Sequence, residues 1–325
     1  MDLTVAASAL RFGALLSRLP GGVAQGIIWG IMALGVYITF RLLDVADLSV
    51  DGTFTTGGAV TVALVFGGMH PALALLIAVL AGLLAGLVTG ILHTKLGIPA
   101  ILAGILTQFG LYSINLRIMG KANIAIQRGT KLMLSLGAVP KAILVGGAFA
   151  LVLIALLYWY FGTEQGSAIR ATGSNPAMSR AQGINIDAMK VLGLALSNAV
   201  VALSGGLMAQ FQGYADINMG RGAIVIGLAA VIIGEVLCDA IFRKGTSFWV
   251  RLCFVLVGGI VYYIVMSIIL WLKLNTDDLK LFTAILVAVF LAVPYLQAQR
   301  VSSFHNAGRQ SAALRKAASA GKEGK

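Results

Sequence analysis

Charge is scarce in this chain. Only 11% of its 325 residues are Asp, Glu, Lys or Arg, against about 25% in an ordinary soluble domain. Cysteine is nearly absent, with Cys238 and Cys253 alone, so neither a disulfide framework nor a cysteine zinc site is built here. The three histidines, His70, His93 and His305, are scattered and no HExxH run exists, which leaves no metal site. The phosphate-cradling GxxxxGK[ST] pattern is missing too, so no ATP site belongs to this chain. No nucleophile–base pair stands out, and an integral-membrane enzyme is the weakest reading.

What is present is apolar. Hydrophobic residues make up 59% of the chain with 40 glycines, and mean hydropathy is +0.93. Several runs reach the roughly 20 residues that a helix needs to cross the hydrocarbon core. The expected fold is all-α: a polytopic integral membrane protein with about nine transmembrane helices and room for re-entrant segments. Spans are expected near 22–40, 59–66, 70–93, 97–115, 142–161, 189–211, 223–237, 248–272 and 279–296. Residues 1–21 form a separate N-terminal amphipathic segment, without the marks of a cleaved signal peptide. Residues 22–299 form the membrane domain. Residues 300–325 form a basic tail suited to cytosol or to anionic lipid heads. The net charge of +12 lies in loops and tail without interleaved aromatics, so it reads as membrane topology and not as nucleic-acid binding.

Polar residues inside this apolar background mark the places of interest. Asp44, Asp47 and Asp51 crowd into LDVADLSVDG, and a non-helical break lining a cavity is the natural home for such acids. Gly82, Gly86 and Gly90 recur every four residues and make one helix face bare backbone, as close helix packing requires. Gln108 and Asn115 share a helix face, as do Ser197 and Ser204, with Asn198 beside them. Gln108, Asn115, Ser197 and Asn198 are candidates for a translocation path, with interhelical hydrogen bonding an equally good use of them. Gly26–Asp44 and Gly222–Asp239 are similar in pattern, a weak internal echo.

The longest polar interruption is Gly162–Asp187, GTEQGSAIRATGSNPAMSRAQGINID. Asn175 suits an N-cap, Pro176 the first helical position, and Gly183 a left-handed C′ position, which predicts a short helix over 176–182. On local pattern alone this is equally a capped surface loop or a device that passes force to a soluble partner. The basic loops at Lys95, Arg170–Arg180, Arg243–Lys244 and the tail can share the cytoplasmic side. That places the acid-free basic stretch Arg117–Lys141 on the other side, where Lys121, Arg128 and Lys131 could dock an acidic partner.

Two motifs carry a family resemblance. Asp47-Leu48-Ser49-Val50 followed by Gly52 resembles the acidic-Leu-Ser-Val-Gly segment of ABC sugar permeases, although Asp51 intervenes here. Ala168 to Pro176 with Ala181-Gln182-Gly183-Ile184-Asn185 is similar to the coupling segment of ABC importer permeases of the branched-chain amino acid and ribose group. The continuation through Met189–Gly220 and Val225–Glu235 is closer still to the tryptophan/tyrosine-type permease branch.

This resemblance implies a type II-like ABC importer permease in the bacterial inner membrane. It also implies a second permease copy, like or unlike, two separate ATPase subunits that bind ATP and Mg, and an extracytoplasmic substrate-binding protein. The coupling residues would be Arg170, Gly173, Asn175, Pro176, Arg180 and Gly183, with the glycines setting where the chain turns in and out. The substrate would be a small solute, an aromatic amino acid among the options. The alternative from a different class is an ion-coupled secondary transporter using Asp44, Asp47, Asp51 or Glu235.

Overall fold

A computed structural model describes residues 12–127, 129–130, 132–242 and 246–271, with isolated positions between 281 and 292. The chain divides into a unit of residues 1–279 and another of 280–325; the first holds everything that follows. Among the described residues, seven helices are long and apolar enough to cross a membrane, and an eighth, Val50–Phe66, is shorter. These account for eight of the nine expected spans. The ninth, 279–296, falls largely outside the described residues, as does the basic tail.

Helix α1 (Phe12–Tyr37) passes through Pro20 without stopping and opens into a π-helical turn, Ile38–Leu42. No break therefore separates residues 12–21 from the first span, contrary to the expected boundary. An extended stretch leads to α2 (Val50–Phe66). Helices α3 (Pro71–Thr94) and α4 (Ala100–Met119) follow. A short strand β1 (Asn123–Ala125) precedes α5 (Val139–Gly162). Two short helices, α6 (Glu164–Ser174) and α7 (Pro176–Ala181), then lead into α8 (Ile186–Gln212). Strand β2 (Tyr214–Asp216) pairs antiparallel with β1, Ile124 opposite Ala215. Helices α9 (Ala223–Ile241) and α10 (Phe248–Trp271) complete the unit.

The core forms around α8 because its small and hydroxylated residues let neighbours come close. Ser197 Oγ donates to Gly35 O and Ser204 Oγ to Ile28 O, both at 2.7 Å. These two bonds lock α1 antiparallel to α8 and satisfy hydroxyls that lipid could not. On the other side, the expected glycine face of α3 is real: Gly82, Gly86 and Gly90 lie against Asn198, Leu194–Ala195 and Val191. A side chain at any of them would collide with the backbone or Cβ of α8. Helix α2 completes the set, with Gly57 against Ala202 and Phe54 against Gly205. Within their most apolar windows the first span, Arg18–Leu42, is 83% buried and α8 78%, while α4 and α10 are each 28% buried. The first two are core helices, and the last two keep a broad face for lipid or another chain.

These contacts fix which end is which. Helix α8 begins beside α7 and ends beside β2, so α6–α7 and the β1–β2 ribbon sit at opposite ends of the unit. Lys121 and β1 are therefore at the opposite end from Arg170–Arg180, in keeping with the expected arrangement of the basic loops.

Candidate functional site: a broken-helix centre and a surface helix pair

The first site grows out of the acidic run. After the π-helical turn the chain reverses at Asp44, whose φ of 55° is the left-handed value that short polar side chains tolerate. It then re-enters the bundle in extended form. Asp47, 2% exposed, holds this segment. Its Oδ1 accepts the amide and hydroxyl of Ser49 (2.9 and 2.6 Å), and its Oδ2 accepts Asn198 Nδ2 (2.7 Å). A buried carboxylate needs this many donors. Gly104 of α4 gives the segment room, since a Cβ there would lie 2.7 Å from the Leu48 amide nitrogen. Helix α2 thus starts deep in the bundle, beside the middle of α8, and not at a membrane surface.

Helix α9 mirrors it. From β2 the chain turns back through Gly220 and Gly222, and α9 starts where α2 starts. Asp51, in the first turn of α2, joins the two. Its Oδ2 accepts the Gly222 N–H and its Oδ1 the Ile224 N–H, each at 2.9 Å. Thr55 Oγ1 accepts the Gly220 N–H at 3.1 Å. One carboxylate thereby closes the N-terminus of a second helix, where the helix dipole favours negative charge. At its far end α9 is tied to the π-helical turn after α1 by an Arg41–Glu235 ion pair of 2.8 Å.

A cavity of about 350 Å³ opens at this junction. Asp51, Gln108, Phe109, Tyr112, Asn115 and Arg221 are among its lining residues. Asn115 is fully buried. Its Nδ2 donates to Gly52 O at 3.4 Å, while its Oδ1 has no partner among the described residues. Of the four path candidates, the structure brings Gln108 and Asn115 to the cavity. It engages Ser197 and Asn198 in the interhelical bonds above, and they do not line it. Sequence reasoning missed Arg221 and Tyr112. The only signal for Arg221 was a lone cation beside Gly220 and Gly222.

The second site is the polar interruption. It forms two helices where one was expected. Thr163 caps α6, its Oγ1 accepting the Gly166 N–H at 3.4 Å, with Glu164 in the first turn. That Thr-Glu pair was the available signal. Asn175 Oδ1 accepts the Met178 N–H at 3.0 Å and starts α7, with Pro176 following. Gly183 has φ of 81° and ends it, as expected. Met178 is 61% exposed and Arg180 is exposed.

Two expected coupling residues face the other way. The Arg170 guanidinium lies 5.6 Å from the Phe248 ring centre, half-buried, so it ties α6 to α10. Gly173 sits inside α6 and seats it on the backbone of Leu42–Leu43; it sets no turn. Of the three docking candidates, Lys121 is exposed at the ribbon end, and Arg128 and Lys131 lie outside the described residues. No group of three or more potential metal ligands occurs among the described residues.

Known proteins share this sequence over most of its length. The family described as branched-chain amino acid transport system / permease component matches residues 19–294. A tyrosine transport system permease protein of Clostridioides difficile is 43% identical over 277 residues, 85% of this chain and 91% of its own. An uncharacterised protein of Rickettsia prowazekii is 34% identical over 275 residues, covering 82% and 94%. A nucleoside ABC transporter permease protein of Lactococcus lactis is 26% identical over 226 residues, covering 66% and 68%. No solved structure gives a significant match.

Proposed function

The chain belongs to the permease-component family of branched-chain amino acid transport systems, and from that premise we propose how its parts divide the work. It is a multi-pass permease subunit of an ABC importer in the bacterial inner membrane. Membership implies ATPase and substrate-binding partners and displaces the ion-coupled alternative. Each acid that alternative needed, Asp44 apart, is engaged within the protein. Asp47 holds Ser49 and Asn198, Asp51 closes α9, and Glu235 pairs with Arg41.

Helix α7 receives the ATPase. The observation that carries this is its geometry: a capped, exposed helix joined through Asn175 to a second helix that is wedged into the bundle. Asn175, Pro176, Arg180 and Gly183 shape the docking surface. Arg170 and Gly173 anchor the lever behind it. Force on α7 passes through α6 to Leu42–Leu43, and so to the extended segment that positions α2 beside the cavity. Rocking of such elements exposes a central path to each side in turn. ATP and Mg act on the ATPase.

Lys121, at the ribbon end, meets the binding protein, and Arg128 and Lys131, outside the described residues, are the further docking candidates. A second permease copy, identical or not, covers the exposed face of α4, and lipid covers the rest. The cargo is a small solute of the amino acid type, aromatic in keeping with the tyrosine permease likeness.

The experiment is charge reversal at α7 in the reconstituted importer. Arg180→Glu is expected to abolish substrate-stimulated ATPase activity and uptake while the permease still folds. Unchanged stimulation and uptake would remove α7 from the coupling role.

A further inference from the structure

The cavity at the α2–α9 junction has a chemistry more specific than a polar passage. It presents a carboxylate, Asp51, and a guanidinium, Arg221, and no ion pair joins them among the described residues. Both Asp51 oxygens already accept one backbone N–H, yet a carboxylate oxygen can accept two. Beside them the Asn115 Oδ1 is fully buried and unpartnered. Native proteins rarely leave such an acceptor unfilled, because each costs about 1–3 kcal/mol. Tyr112 and Phe109 add aromatic surface at the mouth.

We propose that this cavity is a way-station binding site for a zwitterionic α-amino acid. The ammonium is held by Asn115 Oδ1 and Asp51, the carboxylate by Arg221, and the side chain rests against Tyr112 and Phe109. The inference rests on the importer reading above and assigns recognition to this chain as well as to a binding protein. Three ammonium donors match acceptors on Asp51 and Asn115. A carboxylate matches the guanidinium fork, with two parallel bonds available. An uncharged solute such as a sugar would leave the Arg221 charge unanswered. The volume suits one small molecule, at the lower end of the roughly 300–1,000 Å³ usual for such sites. The sequence could not bring these residues together, since Asp51, Asn115 and Arg221 come from three distant segments.

The test uses the full permease assembled with its ATPase in nanodiscs. Asn218→Cys, on the cavity lining, is the reporter in a Cys238→Ser, Cys253→Ser background. Maleimide labelling is timed with L-tyrosine, with tyramine, which lacks the carboxylate, and with 3-(4-hydroxyphenyl)propionate, which lacks the ammonium. At four times its Kd, L-tyrosine should slow labelling about fivefold, from simple occupancy. The two analogues should slow it less than twofold at the same concentration, and Arg221→Gln should remove the protection, with Arg221→Lys restoring part of it. Equal protection by all three compounds overturns the site, as does absence of protection by every proteinogenic amino acid. Tyrosine uptake by proteoliposomes of the same complex is scored separately. Uptake without protection sinks only this inference, whereas absence of any amino acid uptake sinks the importer reading.

Discussion

The two sites of this permease are built in opposite ways. The α6–α7 pair is made of neighbours in sequence: Thr163 caps α6 and Asn175 caps α7, each bonding an amide three residues on. The broken-helix centre is made of strangers. Asp47 meets Asn198 across 151 residues, and Asp51 meets Gly222 across 171. Local caps make an element that can exist as a lever, moved as a unit and rebuilt easily. Long-range bonds make a junction that exists only when the whole bundle does. The difference suits the two proposed roles, a surface helix that would follow a motor and a path that would keep its walls.

The comparison breaks if the centre tolerates change. The largest effect is expected at Gly205, whose hydrogen faces the Phe54 carbonyl. Gly205→Val forces backbone against backbone, and such overpacking costs upwards of about 3 kcal/mol where nothing can give. Fluorescence-detected size exclusion should show little monodisperse protein. A normal profile would mean that α2 is free to move away from α8, and the centre would be no fixed junction. Next in size is Asp51→Asn. An amide has one acceptor oxygen, so one of the Gly222 and Ile224 N–H groups loses its partner. A lost charge-assisted bond is worth about 1.5–3 kcal/mol. The thermal unfolding midpoint of the purified permease should fall by several degrees, and a further fall in Asp51→Ala would show that both bonds count.

The same contrast explains what could be read in the sequence. Caps, a glycine stripe and apolar runs are local signals. From them follow α7 with its Asn175 cap and Gly183 stop, the close face of α3, and eight spans near their places. The acidic run was legible as a break because acids in apolar surroundings demand donors. Which donors was not legible: nothing near Asp51 in sequence points to Gly222. For the same reason the sequence left Ser197 and Asn198 between path and internal bonding, and their side chains are bonded to Gly35 and Asp47. Arg170 misled differently. An Arg in a polar loop reads as a docking charge, but Phe248, seventy-eight residues later, takes it up. Family motifs singled out an expected coupling segment without saying which of its side chains face outward.

The smallest stability effect, and the sharpest test of the contrast, belongs to Asn175. Its side chain is exposed, so water competes for the Met178 N–H that it accepts. Replacing an Asn cap by Ala costs roughly 1 kcal/mol, and less where the helix is short and solvated. Helix α7 has six residues and few neighbours, so this cost falls on its own fraying and not on the bundle. Asn175→Ala should therefore leave the thermal midpoint within about 2 °C of the parent, the scale of a sub-kcal/mol change. Uptake per ATP hydrolysed should nonetheless fall, because a frayed α7 transmits less of the motion imposed on it. Asn175→Ser, which keeps an acceptor at the cap, should restore most of the ratio. A midpoint shift as large as that of Asp51→Asn would mean that α7 is welded into the bundle and cannot act as a lever. An unaltered ratio with a frayed helix, read by hydrogen exchange of the Met178 amide, would mean that the ATPase grips another surface.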